Sequence, residues 1–145
     1  MRKKDDELCN RDELDLVTAT IFGEARGEPI EGKVAVGWVI KNRVLDDRWP
    51  CTYKDVVLQP KQFSCWNKTD PNYPDTLRAT VPTLSWRSLA WQECRLVAHG
   101  IIYDRLRDNT QDSNHYHAIN IIELPKWADG LKVMKRYGNH VFYKL

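Results

Sequence analysis

Two glutamates, Glu24 and Glu28, stand four positions apart in the stretch IFGEARGEP, residues 21–29. Carboxyl groups are the side chains that most often cleave glycosidic bonds, because a protonated one can protonate the bridging oxygen. Such a general acid must keep its proton near neutral pH, which requires surroundings that disfavour its charged form. Glu24 and Glu28 are therefore the first candidates for chemistry, and the elements around them decide which of the two has suitable surroundings.

The first glutamate falls near the end of a predicted helix over about residues 11–26. Asn10 is a suitable N-cap for this helix, and Glu13 stands in a capping-box position. Helical spacing places four apolar residues on one face, namely Leu14, Val17, Ile21 and Ala25. Glu24 lies on that same face in the last turn, where the helix dipole is negative. Partial burial and the dipole both disfavour a carboxylate, so the pKa of Glu24 is expected to rise.

Both glutamates also have structural interpretations. Glu24 could pair with a basic group such as Arg43 inside the fold, which would give it no chemical role. Glu28 could orient Arg26, stabilise the start of the next helix through its charge, or line a cleft. The spacing of the residues does not decide between these roles.

A second helix is predicted over about residues 29–45, with the sequence PIEGKVAVGWVIKNRVL. The stretch from Val34 to Ile40 is apolar all round, which is typical of a helix that is buried on most sides. Gly27 and Pro29 end the first helix and start the second. The two helices should therefore meet at a corner that carries both carboxyl groups.

The middle of the chain predicts two further helices and a loop. TYKDVVLQ suggests a short helix capped by Thr52, and a longer helix is predicted over about residues 84–99, with Gly100 as its C′ residue. Its inward residues should be Trp86, Leu89, Ala90, Cys94 and Val97. Between these helices, residues 59–75 read QPKQFSCWNKTDPNYPD and predict a long irregular binding loop.

The last third of the chain has the character of a small sheet. NHYHAINI, residues 114–121, predicts a strand, and LPKWADGL, residues 124–131, predicts a brief helix. KVMKRYGNHVFYKL, residues 132–145, predicts a hairpin with its turn at Gly138 and Asn139. The fold class is therefore α+β, mainly helical with a small antiparallel sheet. We expect one domain over residues 1–145, with residues 1–10 as an N-terminal extension.

Composition limits the partners and the compartment. The chain has 145 residues, 42% of them hydrophobic, and a formal charge of +2, which is too small to indicate nucleic acid binding. No apolar run is long enough for membrane insertion, and MRKKDDELCN lacks the pattern of a signal peptide, so we expect synthesis in the cytoplasm.

The four cysteines have no C-x-x-C spacing; they are Cys9, Cys51, Cys65 and Cys94. Free thiols are expected, and a Cys51–Cys65 disulfide is an open alternative.

Several of these motifs occur together in one known family. GEARGEP followed by EGKVAVGWVIKNRV resembles the pattern E-A-R-G-E-x-x-x-G-x-x-A-V-x-x-V-x-x-N-R, which opens the catalytic domain of the spore-cortex-lytic and cell wall hydrolase family of spore-formers, other bacteria and phages. QPKQFSCW is similar to that family's Q-x-x-Q-F-S segment, and residues 138–142 resemble its G-x-H-x-F ending. HYHAIN, from His115, is similar to its H-Y-x-N strand, although Asn120 lies further from Tyr116 than that pattern has it.

The resemblance implies a lysozyme-like, lytic-transglycosylase-like fold that cleaves the bond between N-acetylmuramic acid and N-acetylglucosamine in peptidoglycan glycan strands. It implies that Glu24 is the catalytic acid and that neither cofactor nor metal is needed. If the 6-hydroxyl of muramic acid attacks, the product is a 1,6-anhydro sugar. If water attacks, the enzyme is a muramidase, and Glu28 is the nearby candidate for a second carboxylate.

The resemblance also suggests a substrate groove and a biological setting. The candidates for binding sugar rings, acetamido groups and hydroxyls are Gln62, Phe63, Ser64, Trp66, Tyr116 and His117. We expect a monomer that acts as a phage endolysin, reaching the periplasm or cell wall after release from the cytoplasm.

Two alternatives remain open from the sequence. His115 and His117 stand two apart on the predicted strand, so both rings should lie on one side, in a spacing that zinc can use, with His140 as a third histidine. That pattern would give a zinc-dependent amidase that cuts the bond between sugar and peptide. A wall-binding module without catalytic activity is the third interpretation.

Overall fold

The computed structural model describes residues 12–145. Six α-helices in this part of the chain precede and surround a small sheet. They are α1 (Glu13–Ala25), α2 (Ile30–Val44), α3 (Tyr53–Val57), α4 (Tyr73–Ala79), α5 (Pro82–Ser85) and α6 (Leu89–Ile102). The strands are β1 (His115–Ala118), β2 (Val133–Tyr137) and β3 (His140–Tyr143), and short 3-10 turns cover Ser64–Trp66 and Lys126–Ala128.

Helix α1 is the central element and packs against α2, α3, α4 and α6. Its N-cap is Asp12, whose Oδ1 accepts a hydrogen bond of 2.9 Å from the Leu14 amide. The predicted cap, Asn10, lies outside the described residues, as do Cys9 and the predicted extension. The helix is buried over residues 16–21 as well as at Gly23 and Ala25, so the single apolar face expected from the sequence was too narrow. A helix surrounded by four others buries nearly every side.

Helix α2 is buried on most sides, as predicted, and even its cations are covered. Lys33 donates to the Glu28 carbonyl at 2.5 Å and pairs with Glu93 at 2.9 Å. Lys41 donates to the Ile101 carbonyl at 2.7 Å, near the C-terminus of α6, and also pairs with Asp104. Because each ammonium group meets both a carbonyl and a carboxylate, its burial is compensated.

The predicted helix over residues 84–99 is displaced. Pro82 starts the separate short helix α5, and α6 begins only at Leu89 behind a Ser88 cap. Trp86 and Leu89, expected inside, are 54% and 80% exposed, while Trp91 is buried in their place. Gly100 lies within α6, where a Cβ atom would come within 2.7 Å of the Leu106 side chain. This glycine therefore permits close packing and does not end the helix.

The loop predicted over residues 59–75 contains regular structure that the sequence analysis missed. It holds the 3-10 turn at residues 64–66 and the first residues of α4, whose Pro74 lies in the first turn. The turn places Cys65 inside the core and leaves Ser64 exposed. The loop therefore packs against α1 instead of projecting from the domain.

The three strands form an antiparallel sheet in the order β1-β3-β2. The hairpin β2–β3 turns at Gly138 and Asn139, as predicted, and Gly138 has a φ of +54°, which favours glycine. Strand β1 pairs with β3 so that Tyr116 stands opposite Phe142. The core lies between the helices and Phe142 of the sheet, and its largest fully buried side chains include Leu16, Ile21, Ile40, Phe63, Ile101 and Phe142.

No helix among residues 12–145 is both long and apolar enough to cross a lipid bilayer.

Candidate functional site

The carboxyl group of Glu24 lies where the last turn of α1 meets strand β1 and the 3-10 turn at Ser64–Trp66. Tyr116 of β1 donates a hydrogen bond of 2.5 Å from its hydroxyl to Oε1 of Glu24. The Ser64 hydroxyl and the Cys65 backbone amide both donate to Oε2, each at 3.3 Å. Three elements that are distant in sequence thus converge on one carboxyl group.

Burial and hydrogen bonding act on Glu24 in opposite directions. Burial is the larger effect and raises the pKa of Glu24 above its ordinary value. The hydrogen bonds from Tyr116, Cys65 and Ser64 favour the carboxylate and lower the pKa in part. The predicted rise in pKa is therefore confirmed in direction. The Arg43 guanidinium donates to the Asn114 carbonyl and to Gln62, and within residues 12–145 it forms no ion pair with Glu24, so the pairing of Glu24 with Arg43 is not what the structure has.

Two rings of β3 pack against Tyr116 and position its side chain. Its ring lies 5.0 Å from the His140 ring and 5.5 Å from the Phe142 ring, measured between centroids. Burial and the nearby Glu24 raise the pKa of Tyr116 well above its ordinary value, so the phenol remains a hydrogen-bond donor. Tyr116 therefore keeps its own proton and can donate a hydrogen bond to Glu24 whether or not Glu24 is charged.

Glu24 opens into a cleft of about 320 Å³. The lining is mostly polar and comes from α1, α2, the loop before α4, and strands β1 and β3. It consists of Gly23, Glu24, Arg43, Lys61, Gln62, Ser64, Asn72, Tyr116, His117, Ala118 and His140. Glu24 is the only carboxyl group in this lining.

The floor of the cleft depends on a glycine in the interior of α1. A Cβ atom on Gly23 would come within 2.7 Å of Cys65 Cβ and would also collide with Thr76 Oγ1. The 3-10 turn is further fixed by Trp66, whose indole nitrogen donates to Thr20 Oγ1 at 3.0 Å. The absence of a side chain at Gly23 thus lets Cys65 and its amide approach Glu24.

Arg43 forms the back of the cleft and is only 4% exposed. Its Nε donates to the Asn114 carbonyl at 2.8 Å and its Nη1 to Gln62 Oε1 at 3.2 Å. The guanidinium carbon lies 5.2 Å from the centroid of the Phe63 ring, in cation–π contact. Burial lowers the pKa of Arg43. This arginine therefore joins α2, the loop and the start of β1 into one wall.

Glu28 lies outside the cleft lining and contacts the β2–β3 turn. Its Oε1 accepts a hydrogen bond of 3.1 Å from the Asn139 amide, and its Oε2 lies 3.4 Å from Asn139 Nδ2. The Glu28 side chain is 9% exposed, and Oε1 is 3.7 Å from His140 Nδ1. A Cβ atom on Gly138 would lie 2.5 Å from Glu28 Oε2, so this contact depends on glycine there. Glu28 thus connects the helix corner to the sheet.

The predicted groove residues divide into two groups. Gln62, Ser64, Tyr116 and His117 line the cleft with Glu24. Phe63 is 2% exposed and packs in the core, and Trp66 is partly buried with its nitrogen bonded to Thr20. These two aromatic rings therefore support the loop from inside, whereas the sequence predicted that they would contact sugar.

Other lining residues were not predicted as parts of the site. Arg43 and His140 belong to the quoted motifs, so their positions in those motifs were an available signal. Lys61 lies between the two glutamines of QPKQ, which is also a motif segment. Asn72 lies within the predicted binding loop over residues 59–75 and comes close as the N-cap residue of α4.

The histidines of β1 lie on one side of the strand, as predicted, because both rings contact Trp127, with centroid distances of 4.8 Å and 6.0 Å. His117 Nδ1 lies 2.8 Å from the Ala118 carbonyl, so this nitrogen donates, and Nε2 accepts from the Tyr143 hydroxyl at 2.9 Å. His115 packs between aromatic rings, and burial lowers its pKa to about 4. Within residues 12–145, no three histidine, cysteine, aspartate or glutamate side chains converge in a way that could hold a metal ion.

Comparison with known proteins identifies the family. A sequence profile described as Cell Wall Hydrolase matches residues 27–143, which is most of the chain. The chain belongs to the cell wall hydrolase family. Glu24 lies three residues before the matched range, so its assignment depends on the geometry and on the E-A-R-G-E pattern.

Members of the family with curated descriptions are similar over different lengths. The spore cortex-lytic enzyme of Bacillus subtilis is 35% identical over 149 aligned residues, which cover 97% of this chain and 42% of that protein. The spore cortex-lytic enzyme of Oceanobacillus iheyensis is 40% identical over 55 residues, which cover 38% of this chain and 20% of that protein. The chain therefore spans less than half the length of these relatives.

Solved structures of the family have the same fold. The catalytic domain of the germination-specific lytic transglycosylase SleB from Bacillus anthracis superposes with a TM-score of 0.70 at 24% identity, covering 91% of this chain and 93% of that one. The catalytic domain of the Bacillus cereus SleB protein superposes with a TM-score of 0.67 at 26% identity, covering 91% and 89%. The predicted fold class, mainly helical and lysozyme-like with a small antiparallel sheet, is confirmed.

Proposed function

We propose that this chain cleaves the glycosidic bond between N-acetylmuramic acid and N-acetylglucosamine in peptidoglycan, as a lytic transglycosylase with Glu24 as its acid and base. The observation that carries the proposal is a single protonatable carboxyl group, Glu24, partly buried in a polar cleft and contacted by three donors. The similarity to a lytic transglycosylase and to spore cortex-lytic enzymes supports the choice of substrate class.

The first step uses the proton of Glu24, whose pKa is raised by burial. Tyr116 donates to Oε1 at 2.5 Å, whereas both contacts of Oε2 are 3.3 Å long, so Oε2 is the oxygen better placed to carry the proton. Transfer to the bridging oxygen breaks the glycosidic bond and gives an oxocarbenium-like sugar. Glu24 becomes a carboxylate at that moment, and its three donors then stabilise the new charge.

The second step returns the proton. The carboxylate of Glu24 removes the proton from the muramic acid 6-hydroxyl, whose oxygen attacks the anomeric carbon and forms the 1,6-anhydro ring. A muramidase mechanism would use Glu28 as a second carboxylate, but Glu28 contacts Asn139 and does not line the cleft. This placement favours the transglycosylase outcome over the hydrolytic one.

Polar side chains of the cleft suit a neutral, hydroxyl-rich and acetamido-rich ligand. Gln62 Oε1 accepts a hydrogen bond from Arg43. The amide nitrogen of Gln62 therefore remains able to donate to an acetamido carbonyl of the substrate. Gln62, Ser64, Tyr116 and His117 are the proposed substrate-binding residues. The hydroxyl of Ser64 already faces Glu24, so it would lie beside the reacting bond.

Mass spectrometry of digested peptidoglycan tests the proposal. We expect disaccharide products that end in 1,6-anhydro-muramic acid, which is lighter than a reducing end by one water. Glu24→Gln should reduce their formation by about 10²–10⁴-fold, the usual contribution of a general acid. Glu31→Gln, which changes an exposed glutamate on α2, is the matched control and should keep full activity. Reducing ends would indicate a muramidase, and free stem peptides an amidase.

The zinc amidase is the second candidate. It depends on His115 and His117, whose rings do lie on one side of β1. Both nitrogens of His117 are hydrogen-bonded to protein groups, which argues against this candidate. Treatment with EDTA distinguishes the two, because the proposed transglycosylase should retain its activity.

The proposal also includes a biological role, that of a phage endolysin. An endolysin made in the cytoplasm of a Gram-negative cell should leave the cell intact until the inner membrane is permeabilised, and then lyse it within minutes. Turbidity before and after chloroform addition measures this, and lysis without permeabilisation would contradict the role.

The expected monomer and single domain stay predictions. Light scattering tests the monomer and should give a mass near 17.0 kDa.

A further inference from the structure

The cleft has an uneven distribution of charge. Two cationic side chains, Arg43 and Lys61, belong to its lining, and Glu24 is its only carboxyl group. In the proposed reaction Glu24 is protonated when substrate binds. The cleft that receives the substrate is therefore positively charged, although the acetamido and hydroxyl groups of a bare glycan strand are neutral.

The two cations differ in their freedom to bind a ligand. Arg43 is buried, and its donors are directed at Asn114 and Gln62. Lys61 is exposed at the cleft, and no group among residues 12–145 forms an ion pair or hydrogen bond with its ammonium. Lys61 is thus the cation available to a ligand that enters the cleft.

The backbone at Lys61 is unfavourable for a lysine. The Gln62 amide donates to the Gln59 carbonyl at 3.3 Å, so residues 59–62 form a turn with Pro60 and Lys61 at its centre. Lys61 has a φ of +65°. A turn with proline second and a positive φ third has the pattern of type II, where glycine or asparagine is preferred in the third position. A lysine at a strained position beside the cleft indicates that its side chain has a function there.

The ligand chemistry follows from the substrate class. Peptidoglycan carries carboxylates on the peptide stem that is attached to muramic acid, next to the bond that Glu24 would cleave. We propose that Lys61 binds a carboxylate of this peptide stem, so that the chain prefers glycan strands that bear stems over strands from which they have been removed. This inference rests on the proposed function and specifies its substrate.

Two forms of the same peptidoglycan test the inference: strands with stems intact, and strands stripped of stems by an amidase. We expect the wild-type chain to cleave intact strands with the higher kcat/KM. Lys61→Gln should lower kcat/KM on intact strands by about two- to fivefold, the range for an exposed ion pair, and leave it unchanged on stripped strands. Lys61→Arg should restore the preference.

Two controls separate charge from backbone effects. Lys132→Gln removes an exposed lysine that does not line the cleft and should leave the preference intact. Lys61→Gly relieves the backbone, so it should raise Tm while losing the preference, as Lys61→Gln does. Added salt should reduce the preference of the wild-type chain for intact strands, whereas Lys61→Gln should show no preference at any salt concentration.

The outcomes distinguish this inference from the proposed function. If the wild-type chain cleaves both strand types equally, or if Lys61→Gln slows both equally, the stem-binding role of Lys61 is wrong while the transglycosylase stands. If anhydro products form from neither strand type, the proposed function itself is wrong. Binding of Glu24→Gln to intact and stripped strands gives a second readout: tighter binding to intact strands, lost on adding Lys61→Gln, supports the inference, and equal binding contradicts it.

Discussion

The hydroxyl of Tyr116 donates a hydrogen bond of 2.5 Å to the carboxyl group of Glu24. This bond favours the carboxylate form and so opposes the effect of burial on the Glu24 pKa. It should gain strength as Glu24 loses its proton in the transition state, because hydrogen bonds to charged groups are stronger than those to neutral groups.

Replacing Tyr116 by Phe keeps the ring and removes the donor. We expect a loss of about 10- to 100-fold in kcat, since a hydrogen bond to a charged group contributes about 1.5–3 kcal/mol. The pKa of Glu24 should rise further, which should move the alkaline limb of the pH–rate profile to higher pH. Tyr137→Phe is the control, because that hydroxyl donates to the Asn109 carbonyl outside the cleft. An unchanged profile in Tyr116→Phe would contradict this role.

The raised pKa of Glu24 also predicts how activity depends on pH. In the proposed reaction only protonated Glu24 can cleave, so kcat/KM should fall as the pH rises through the Glu24 pKa of the folded protein, which lies above the ordinary value of a glutamate. Rates measured from pH 4 to 9 on soluble glycan fragments check this. A decline centred at or below the ordinary pKa of a glutamate would mean that burial does not control the acid.

The same shift predicts a dependence of stability on pH. A carboxyl group with a raised folded pKa favours folding below its unfolded pKa, and this contribution is lost as the pH rises through the folded value. The Tm of Glu24→Gln minus that of the wild type should therefore increase with pH above about 4.5. Calorimetry of both proteins at matched pH values measures the difference, and a constant difference would refute the prediction.

Glu28 should have a structural role, which we propose is to position the β2–β3 turn. Glu28→Gln weakens the contacts to Asn139 and should cost about 1–2 kcal/mol, seen as a Tm lower by ~3–8 °C. Its activity at a temperature well below Tm should fall by less than about tenfold, far less than that of Glu24→Gln. Equal losses in the two variants would instead indicate that Glu28 takes part in the chemistry.

Gly23 should not accept a side chain even though it lies within a helix. Alanine in a helix is usually favoured over glycine by about 1 kcal/mol, but here its methyl group would collide with Cys65 and Thr76. We expect Gly23→Ala to destabilise the fold by about 1–3 kcal/mol in denaturant titrations. Gly27→Ala has no atom within 4 Å of its new carbon and should change stability by less than about 0.5 kcal/mol.

The position of Glu24 in the fold could be predicted because two local signals agree. Helical spacing placed Glu24 with Ala25 and Ile21 on an inner face, and Gly27 with Pro29 located the corner. The hairpin was predictable for the same reason, since Gly138 and Asn139 permit a tight turn between two β-rich runs. In each case the residues that specify the feature are neighbours in sequence.

Features that depend on distant contacts could not be predicted. Cys94 and Val97 of α6 are buried as predicted, but Trp86 and Leu89 are exposed because Pro82 and Ser88 start two separate helices. Phe63 and Trp66 looked like exposed loop aromatics, yet Arg43 and Thr20 cover them from other helices. Lys61 was missed because its importance comes from a backbone angle and a cleft that only the folded chain has.

Tyr116 and Glu24 are 92 positions apart in the chain, and Glu28 and Asn139 are 111 apart. A ribosome thus makes Glu24 early and its hydrogen-bond donor in β1 late. Until β1 has been made, the growing polypeptide holds Glu24 without its tyrosine, and until β3 has been made, β1 has no partner strand. Proteolysis within the β2–β3 hairpin should therefore disarm the site in a single cut.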